Sequence, residues 1–115
     1  MSQTRKIREN ERELIVFLLE KLYLNVADYP INEEVFEYEG GKMGSISLNN
    51  NPEAYAGDLI QVEYIDTDNT TVLITLTHDA EGQLLDLDFW KTDFSKLLKY
   101  PSTQDISIIN SSKTE

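Results

Sequence analysis

Three segments of alternating apolar and polar residues, joined by short polar turns, constrain the fold of this chain most strongly. The segments span residues 59–65, 71–78 and 83–90. Strict alternation is typical of a strand that buries one face, and short turns join antiparallel neighbours. The sequence therefore predicts an antiparallel sheet with one apolar face and one polar face.

The strand register follows from the requirement that the apolar residues share one face, because a one-residue slip would exchange core and solvent. Pairing Val62 with Ile74 meets this requirement for the first two strands. Pairing Leu76 with Leu85, and Ile74 with Leu87, meets it for the last two. The polar face then carries two predicted rows, one of Gln61, Thr75 and Asp86 and one of Glu63, Leu73 and Asp88.

A helix is predicted ahead of the sheet, from about Glu11 to Tyr23. Asn10 with Glu13 three residues later fits a capping pair at its start. Apolar residues recur at the helical period, which predicts that one side of the helix packs on the apolar face of the sheet. These residues are Leu14, Ile15, Leu18, Leu19 and Leu22.

Two further elements complete the predicted fold. Residues 35–48 have the pattern of a hairpin around a glycine-rich connection, and Thr92 or Asp93 can cap a short helix that ends before Pro101. We expect an α+β fold: an N-terminal helix packed on one face of an antiparallel sheet of about five strands, with a short C-terminal helix. A single domain should span 1–101, and 102–115 should form a flexible tail.

The charge of the chain is strongly negative and uneven. The formal net charge is −11, and residues 28–88 hold fourteen Asp and Glu but one basic residue, Lys42. Such a surface repels nucleic acid and anionic membrane, and it suits either solubility or a basic protein partner. The chain has no cysteine, which excludes disulfides and thiolate metal sites. Its longest apolar run, 14–19, is too short for a secretory or spanning segment, so we expect a soluble, cytoplasmic protein.

Several motifs together resemble a known family. The quoted segments are Glu11-Arg12-Glu13-Leu14-Ile15, Phe17-Leu18-Leu19, Met43-Gly44-Ser45 and the closing stretch from Leu87 to Ser95, followed by Leu97 and Tyr100-Pro101. They are similar to a family of small bacterial single-domain proteins of unknown function. The chain departs from that pattern at Lys96, where the family often has proline. The resemblance implies a bacterial source and one small domain, and it assigns no catalytic or binding residue.

Four constellations could carry chemistry, and each also has an ordinary structural interpretation. His78 beside Asp79 could act as a base, but the alternation places it at the rim of the core. Asp86 and Asp88 point the same way and, with Glu63, could hold Ca²⁺ or Mg²⁺ or act in hydrolysis. The loop 66–69 resembles the start of a calcium loop but lacks its glycine and closing glutamate. The stretch 40–45 lacks the order of a phosphate loop.

These patterns favour a non-enzymatic binding protein, with no cofactor and no resident metal. Its most concrete form is an acidic, immunity-like protein that covers a basic bacterial toxin. Two alternatives are an accessory or regulatory domain that self-associates or binds a host enzyme, and a metal-dependent hydrolase that uses Glu63, Asp86 and Asp88. Trp90 either fills the core or forms part of the interface. The predicted partner-binding residues are Gln61, Glu63, Thr75, Asp86, Asp88 and Trp90.

Overall fold

The structure is a computed structural model that describes residues 4–38, 44–49 and 55–111. In this part of the chain, one helix and a large antiparallel sheet form an α+β fold, as the sequence predicts. The helix α1 spans Glu9–Lys21 and short 3₁₀ turns span Val26–Asp28 and Thr103–Asp105. The strands are β1 Thr4–Lys6, β2 Glu34–Glu37, β3 Ile46–Ser47, β4 Tyr55–Ile65, β5 Thr71–Asp79, β6 Leu84–Lys91 and β7 Ser107–Ser111.

The sheet has seven strands rather than about five, in the order β1-β2-β3-β6-β5-β4-β7. The two additional strands are its edges: β1 pairs with β2, and β7 pairs with β4. Neither edge strand has a long apolar run, so its pairing depends on the neighbouring strand rather than on its own pattern. The predicted flexible tail thus contains a strand, and Ile106 just before it packs against the core.

The core lies between α1 and one face of the sheet, here called the inner face. The predicted helical side is buried throughout, and it joins one apolar cluster with the strands. Val62 pairs with Ile74 as predicted. The inner-face members of this cluster from β4, β5 and β6 include Ile60, Val62, Tyr64, Val72, Ile74, Leu76, Leu87 and Phe89.

The start of α1 differs from the prediction by two residues. The helix begins at Glu9, and the backbone N–H of Arg8 donates to Oε1 of Glu11 at 2.8 Å. The acid that caps the helix is therefore Glu11 rather than Glu13. Arg5 fixes it further, with Nη2 lying 2.6 Å from Oε2 of Glu11 and Nε lying 2.6 Å from Oε2 of Glu37. This bridge ties the helix start to β2.

The register between β5 and β6 differs from the prediction by two residues. Leu76 pairs with Leu87, and Ile74 pairs with Phe89. The pairing is irregular between Leu76 and His78, which accommodates the difference. Because strand faces repeat every two residues, this shift leaves the apolar residues inside and moves each polar row along the strand.

The prediction of a short helix after β6 is wrong, because residues 92–102 form turns and irregular structure. Phe94 has a left-handed backbone with φ of 65°, which a continuing helix does not allow. The backbone N–H groups of Leu98 and Lys99 donate to the Asp66 carboxylate at 2.8 and 3.1 Å instead of to helical carbonyls. Residues 94–102 therefore have an irregular conformation, which the Asp66 carboxylate stabilises.

Candidate partner-binding surface

The face of the sheet opposite α1, here called the outer face, carries polar side chains in rows across the strands. Gln61 of β4 pairs with Thr75 of β5, and Thr75 pairs with Asp88 of β6. The row before it begins with Asp58 opposite Thr77. That row continues because the backbone N–H of Asp86 donates to Oγ1 of Thr77 at 2.9 Å and Asp86 pairs with Ser47.

A shallow depression of about 410 Å³ lies across these two rows. Three carboxylates line it from two strands that are not neighbours, β4 and β6, with the threonines of β5 between them. Because hydroxyl groups donate as well as accept, they can bridge the acids to a bound cationic group. The lining residues are Tyr55, Asp58, Thr75, Thr77, Asp86 and Asp88, here called the acidic depression.

Hydroxyl groups position the acids of the depression. The Tyr38 hydroxyl, one residue beyond β2, donates to Oδ1 of Asp86 at 2.8 Å, and the Tyr55 hydroxyl donates to Oδ1 of Asp58 at 2.7 Å. Ser45 donates to Oδ1 of Asp88 at 3.1 Å. The depression thus presents carboxylates in set orientations.

The carboxyl group of Asp86 is partly buried on the outer face. Burial raises the pKa of its carboxyl above the ordinary value, and hydrogen bonds from Tyr38 and Ser47 lower it only in part. A carboxylate that is half withdrawn from water gains more from a nearby cation than an exposed one does. Such perturbed groups in a concave site are candidates for function.

The structure brings three of the six predicted partner-binding residues into the lining of the depression and leaves the other three outside it. Thr75, Asp86 and Asp88 line the depression, and Gln61 borders it, donating to Oγ1 of Thr75 at 3.1 Å. Because of the register shift, the last residue of each predicted row is wrong: Thr75 pairs with Asp88 rather than Asp86, and Leu73 pairs with Trp90 rather than Asp88. The third outer row consists of Glu63, Leu73 and Trp90.

Three lining residues of the depression were not predicted from the sequence, Tyr55, Asp58 and Thr77, and neither was Tyr38, which donates to Asp86. Asp58 and Tyr55 lie at the start of β4, where pairing with β5 is irregular both before Gly57 and after Asp58. The irregularity breaks the alternation that would otherwise place them. Thr77 and Tyr38 were assigned to strands, and only the observed register brings them to Asp86.

The proposed His78 and Asp79 pair has a structural role. Nδ1 of His78 lies 2.8 Å from the backbone oxygen of Asp79, not from its carboxylate. The Asp79 carboxylate accepts from the backbone N–H groups of Glu81 and Gln83 at 2.9 and 2.8 Å. It therefore stabilises the turn between β5 and β6, and does not orient the imidazole for catalysis.

The calcium-like loop is a hairpin turn, as the sequence favours. Asn69 has φ of 66° and donates its backbone N–H to the oxygen of Asp66 at 2.9 Å. The carboxylates of Asp66 and Asp68 bind Nζ of Lys91 at 2.9 and 2.8 Å. A lysine thus occupies the position at which a cation could have been expected.

The alternative of a metal-dependent hydrolase requires the carboxylates of Glu63, Asp86 and Asp88 to lie close together. Glu63 instead lies in the row of Leu73 and Trp90, one row beyond Asp88 and two strands away from it. Among the described residues, no group of three His, Cys, Asp or Glu side chains could hold a metal ion. The glycine-rich stretch weighed as a phosphate loop lies largely outside the described residues, with 44–45 inside them.

Comparison with known proteins identifies a family for the chain but assigns no activity to it. The model of a family described as a domain of unknown function, DUF6984, matches residues 4–101. No curated protein and no solved structure matches the chain. The match includes the whole outer face from β4 to β6 and ends before β7.

Within the part of the chain that the structure describes, no helix is long and apolar enough to cross a membrane.

Proposed function

The chain belongs to the DUF6984 family of unknown function, and we propose that it is a non-enzymatic binding protein whose outer sheet face binds a basic protein. The acidic depression is the observation that carries this proposal. It gathers three carboxylates on a face that α1 leaves open. The most concrete form is an immunity-like protein that covers a basic toxin.

The charge of the chain supports a protein partner of opposite sign. With a net charge of −11, the chain attracts basic proteins over distances of several ångströms and repels phosphate backbones and anionic lipid. Attraction of this kind raises the association rate more than it raises the affinity. Rapid capture is the property that a protein guarding against a toxin needs.

The chemistry of the depression suits lysine or arginine side chains of a partner. A guanidinium group donates five N–H bonds in one plane, and Asp86 and Asp88 on one strand offer carboxylates about 7 Å apart at the backbone. Threonine and tyrosine hydroxyls accept from the remaining N–H groups. The depression can therefore bind at least one cationic side chain with several hydrogen bonds.

A second candidate function is supported by a different observation. Trp90 and Phe94 are exposed side by side, with ring centroids 5.1 Å apart. Exposed aromatic pairs mark interfaces, so an accessory domain that binds a host enzyme or another copy of itself is the alternative. This alternative differs from the first in its dependence on salt, since apolar contacts are not screened.

The proposal is tested by affinity capture with three baits. The first is the unchanged chain, and the second carries Asp58→Lys with Asp88→Lys, two exposed residues of the depression. The third, a matched control, carries Glu13→Lys with Glu20→Lys, which makes the same charge change on the exposed side of α1. Each bait is presented to a lysate of the organism that encodes the chain.

We expect a basic protein that binds the unchanged chain and the control but not the depression variant. Its retention should fall as salt is raised, because salt screens exposed charges. Equal capture by all three baits, or capture that salt does not weaken, would contradict the proposal. Circular dichroism of each bait establishes that the fold is intact.

A further inference from the structure

Exposed apolar side chains gather at one end of the outer face. Trp90 is 48% exposed and Phe94 is 58% exposed, although large aromatic side chains are mostly buried. Leu73 of β5 pairs with Trp90, and Ile65 lies on the same face at the end of β4. Ile65, Leu73, Trp90 and Phe94 are here called the apolar end.

The apolar end directly adjoins the acidic depression. Its row of Leu73 and Trp90 is the next one after the row of Thr75 and Asp88. Along β6, the outer-face residues are Asp86, Asp88 and Trp90, so each lies about 7 Å from the next. One continuous surface thus presents two acids and then an aromatic anchor.

The exposure of Phe94 is fixed by its backbone. Its φ of 65° is uncommon for an aromatic residue, and its N–H donates to the oxygen of Lys91 at 2.8 Å. Oδ1 of Asp93 accepts from the backbone N–H of Ser95 at 3.0 Å, which closes the following turn. This conformation holds the exposed ring of Phe94 against Trp90 on the outer face, with ring centroids 5.1 Å apart.

From this juxtaposition we infer that the partner segment is a basic amphipathic helix, with an apolar residue on Trp90 and Phe94 and basic residues in the acidic depression. This inference rests on the proposed function and specifies its partner. In a helix, residues i, i+4 and i+8 lie on one face, about 6 and 12 Å apart. The flexible stems of lysine and arginine cover the remaining distance to Asp88 and Asp86.

The helical form follows from what the outer face offers. An extended peptide binds a sheet through backbone groups at an edge strand, whereas the outer face presents side chains. A helix lays one row of side chains on such a face. A second copy of the chain is a poor occupant, because its own net charge of −11 opposes an acidic surface.

Trp90 reports on this surface directly, since it is the only tryptophan in the chain. Three synthetic alanine-rich helical peptides are titrated against its fluorescence at low salt. The first has leucine at position i and arginine at i+4 and i+8. The second has the same composition, with both arginines on the side opposite the leucine. The third has alanine in place of the leucine.

We expect the first peptide to shift the Trp90 emission to shorter wavelength and to bind about tenfold more tightly than either other peptide. Phe94→Ala should weaken its binding at least fivefold. Tyr23→Ala is the matched control, because Tyr23 is also an exposed aromatic residue with a left-handed backbone, at the end of α1. It should leave the binding unchanged.

The outcomes separate this inference from the function on which it rests. Equal, salt-sensitive binding of all three peptides, with no change in Trp90 emission, would overturn the amphipathic partner but leave the acidic site standing. Equal effects of Phe94→Ala and Tyr23→Ala would also overturn it. If none of the peptides binds although the depression-dependent capture of a basic protein succeeds, the amphipathic helix is wrong and the proposed function stands; if both experiments fail, both are wrong.

Discussion

The ammonium group of Lys91 lies 2.9 Å from Oδ2 of Asp66, and both side chains are fully buried. Lys91 also donates to Oδ2 of Asp68 and to the oxygen of Lys96 at 2.8 and 2.9 Å. Asp66 in turn accepts from the backbone N–H groups of Thr67, Leu98 and Lys99. This ion pair joins β6, the turn after β4 and the irregular segment after β6.

Asp66→Asn should destabilise the protein by about 3 kcal/mol, because it leaves a buried lysine without its main counter-charge. Asp68→Asn is the control, since Asp68 is partly exposed and should cause a smaller loss. The free energy of unfolding in urea measures both. Equal losses for the two variants would show that the buried pair is not the source of the stability.

The same ion pair makes the stability of the protein depend on pH. Burial opposes ionisation of Asp66, but hydrogen bonds from Leu98, Lys91 and Thr67 outweigh it, so its pKa is lowered. A carboxyl whose folded pKa lies below its unfolded value, about 3.9, contributes stability above that value and loses it as pH falls through the folded pKa. The stability difference between the unchanged chain and Asp66→Asn should therefore narrow below about pH 4.

Asp86→Asn should have the opposite effect and stabilise the protein at pH 7. Burial raises the pKa of Asp86, so its charged form disfavours the folded state above the folded pKa. This penalty decreases as pH falls from the folded pKa to the unfolded value near 3.9. Urea unfolding at pH 7 and at pH 4 should show a gain only at pH 7. A variant less stable at pH 7 would contradict the assigned environment of Asp86.

Gly44→Ala should destabilise the protein more than Gly82→Ala. Both glycines have a positive φ, of 99° and 82°, so alanine is strained at each by roughly 1–2 kcal/mol. At Gly44 a Cβ would also lie 3.2 Å from Cδ2 of Leu97, whereas nothing lies within 4 Å of it at Gly82. Equal losses in thermal unfolding would show that the 94–102 segment yields easily at Leu97.

Leu18→Ala should destabilise the protein by about 2–5 kcal/mol, because it opens a cavity where α1 meets the sheet. The Leu18 side chain is completely buried in the core cluster. Val16→Ala on the half-buried side of the same helix should cost less. A loss below about 1 kcal/mol at Leu18 in urea would contradict the observed packing.

Local alternation was sufficient to predict which residues of β4, β5 and β6 face the core. It also predicted the pairing of Val62 with Ile74, because the turn between those strands is short and regular. It could not predict the pairing of β6, since an irregularity beside His78 moves the register by two residues without changing either face. The outer rows, and therefore the composition of the site, depend on that shift.

In the segment after β6, a contact with a residue distant in the sequence overrides the local helical pattern. Residues 92–99 have a capping residue and apolar spacing typical of a helix, but the carboxylate of Asp66 binds their backbone instead. One signal for this was available in the sequence. Lys91 follows Leu85, Leu87 and Phe89 in the inward phase of β6, and a buried lysine requires an acid nearby.

Association rates show whether the acidic depression attracts and binds a basic protein. The captured partner is mixed with the unchanged chain, with the Asp58→Lys and Asp88→Lys variant, and with the Glu13→Lys and Glu20→Lys control, over a series of salt concentrations. Steered association between opposite charges is accelerated by roughly 10- to 1000-fold at low salt.

We expect the rate for the unchanged chain to fall at least about tenfold as salt is raised, because the Debye length shortens to about 8 Å at physiological strength. The depression variant should associate slowly at every salt concentration, and the control should retain most of the rate and its salt dependence. A rate that is insensitive to salt, or that falls equally for both variants, would contradict the claim that the depression binds the partner.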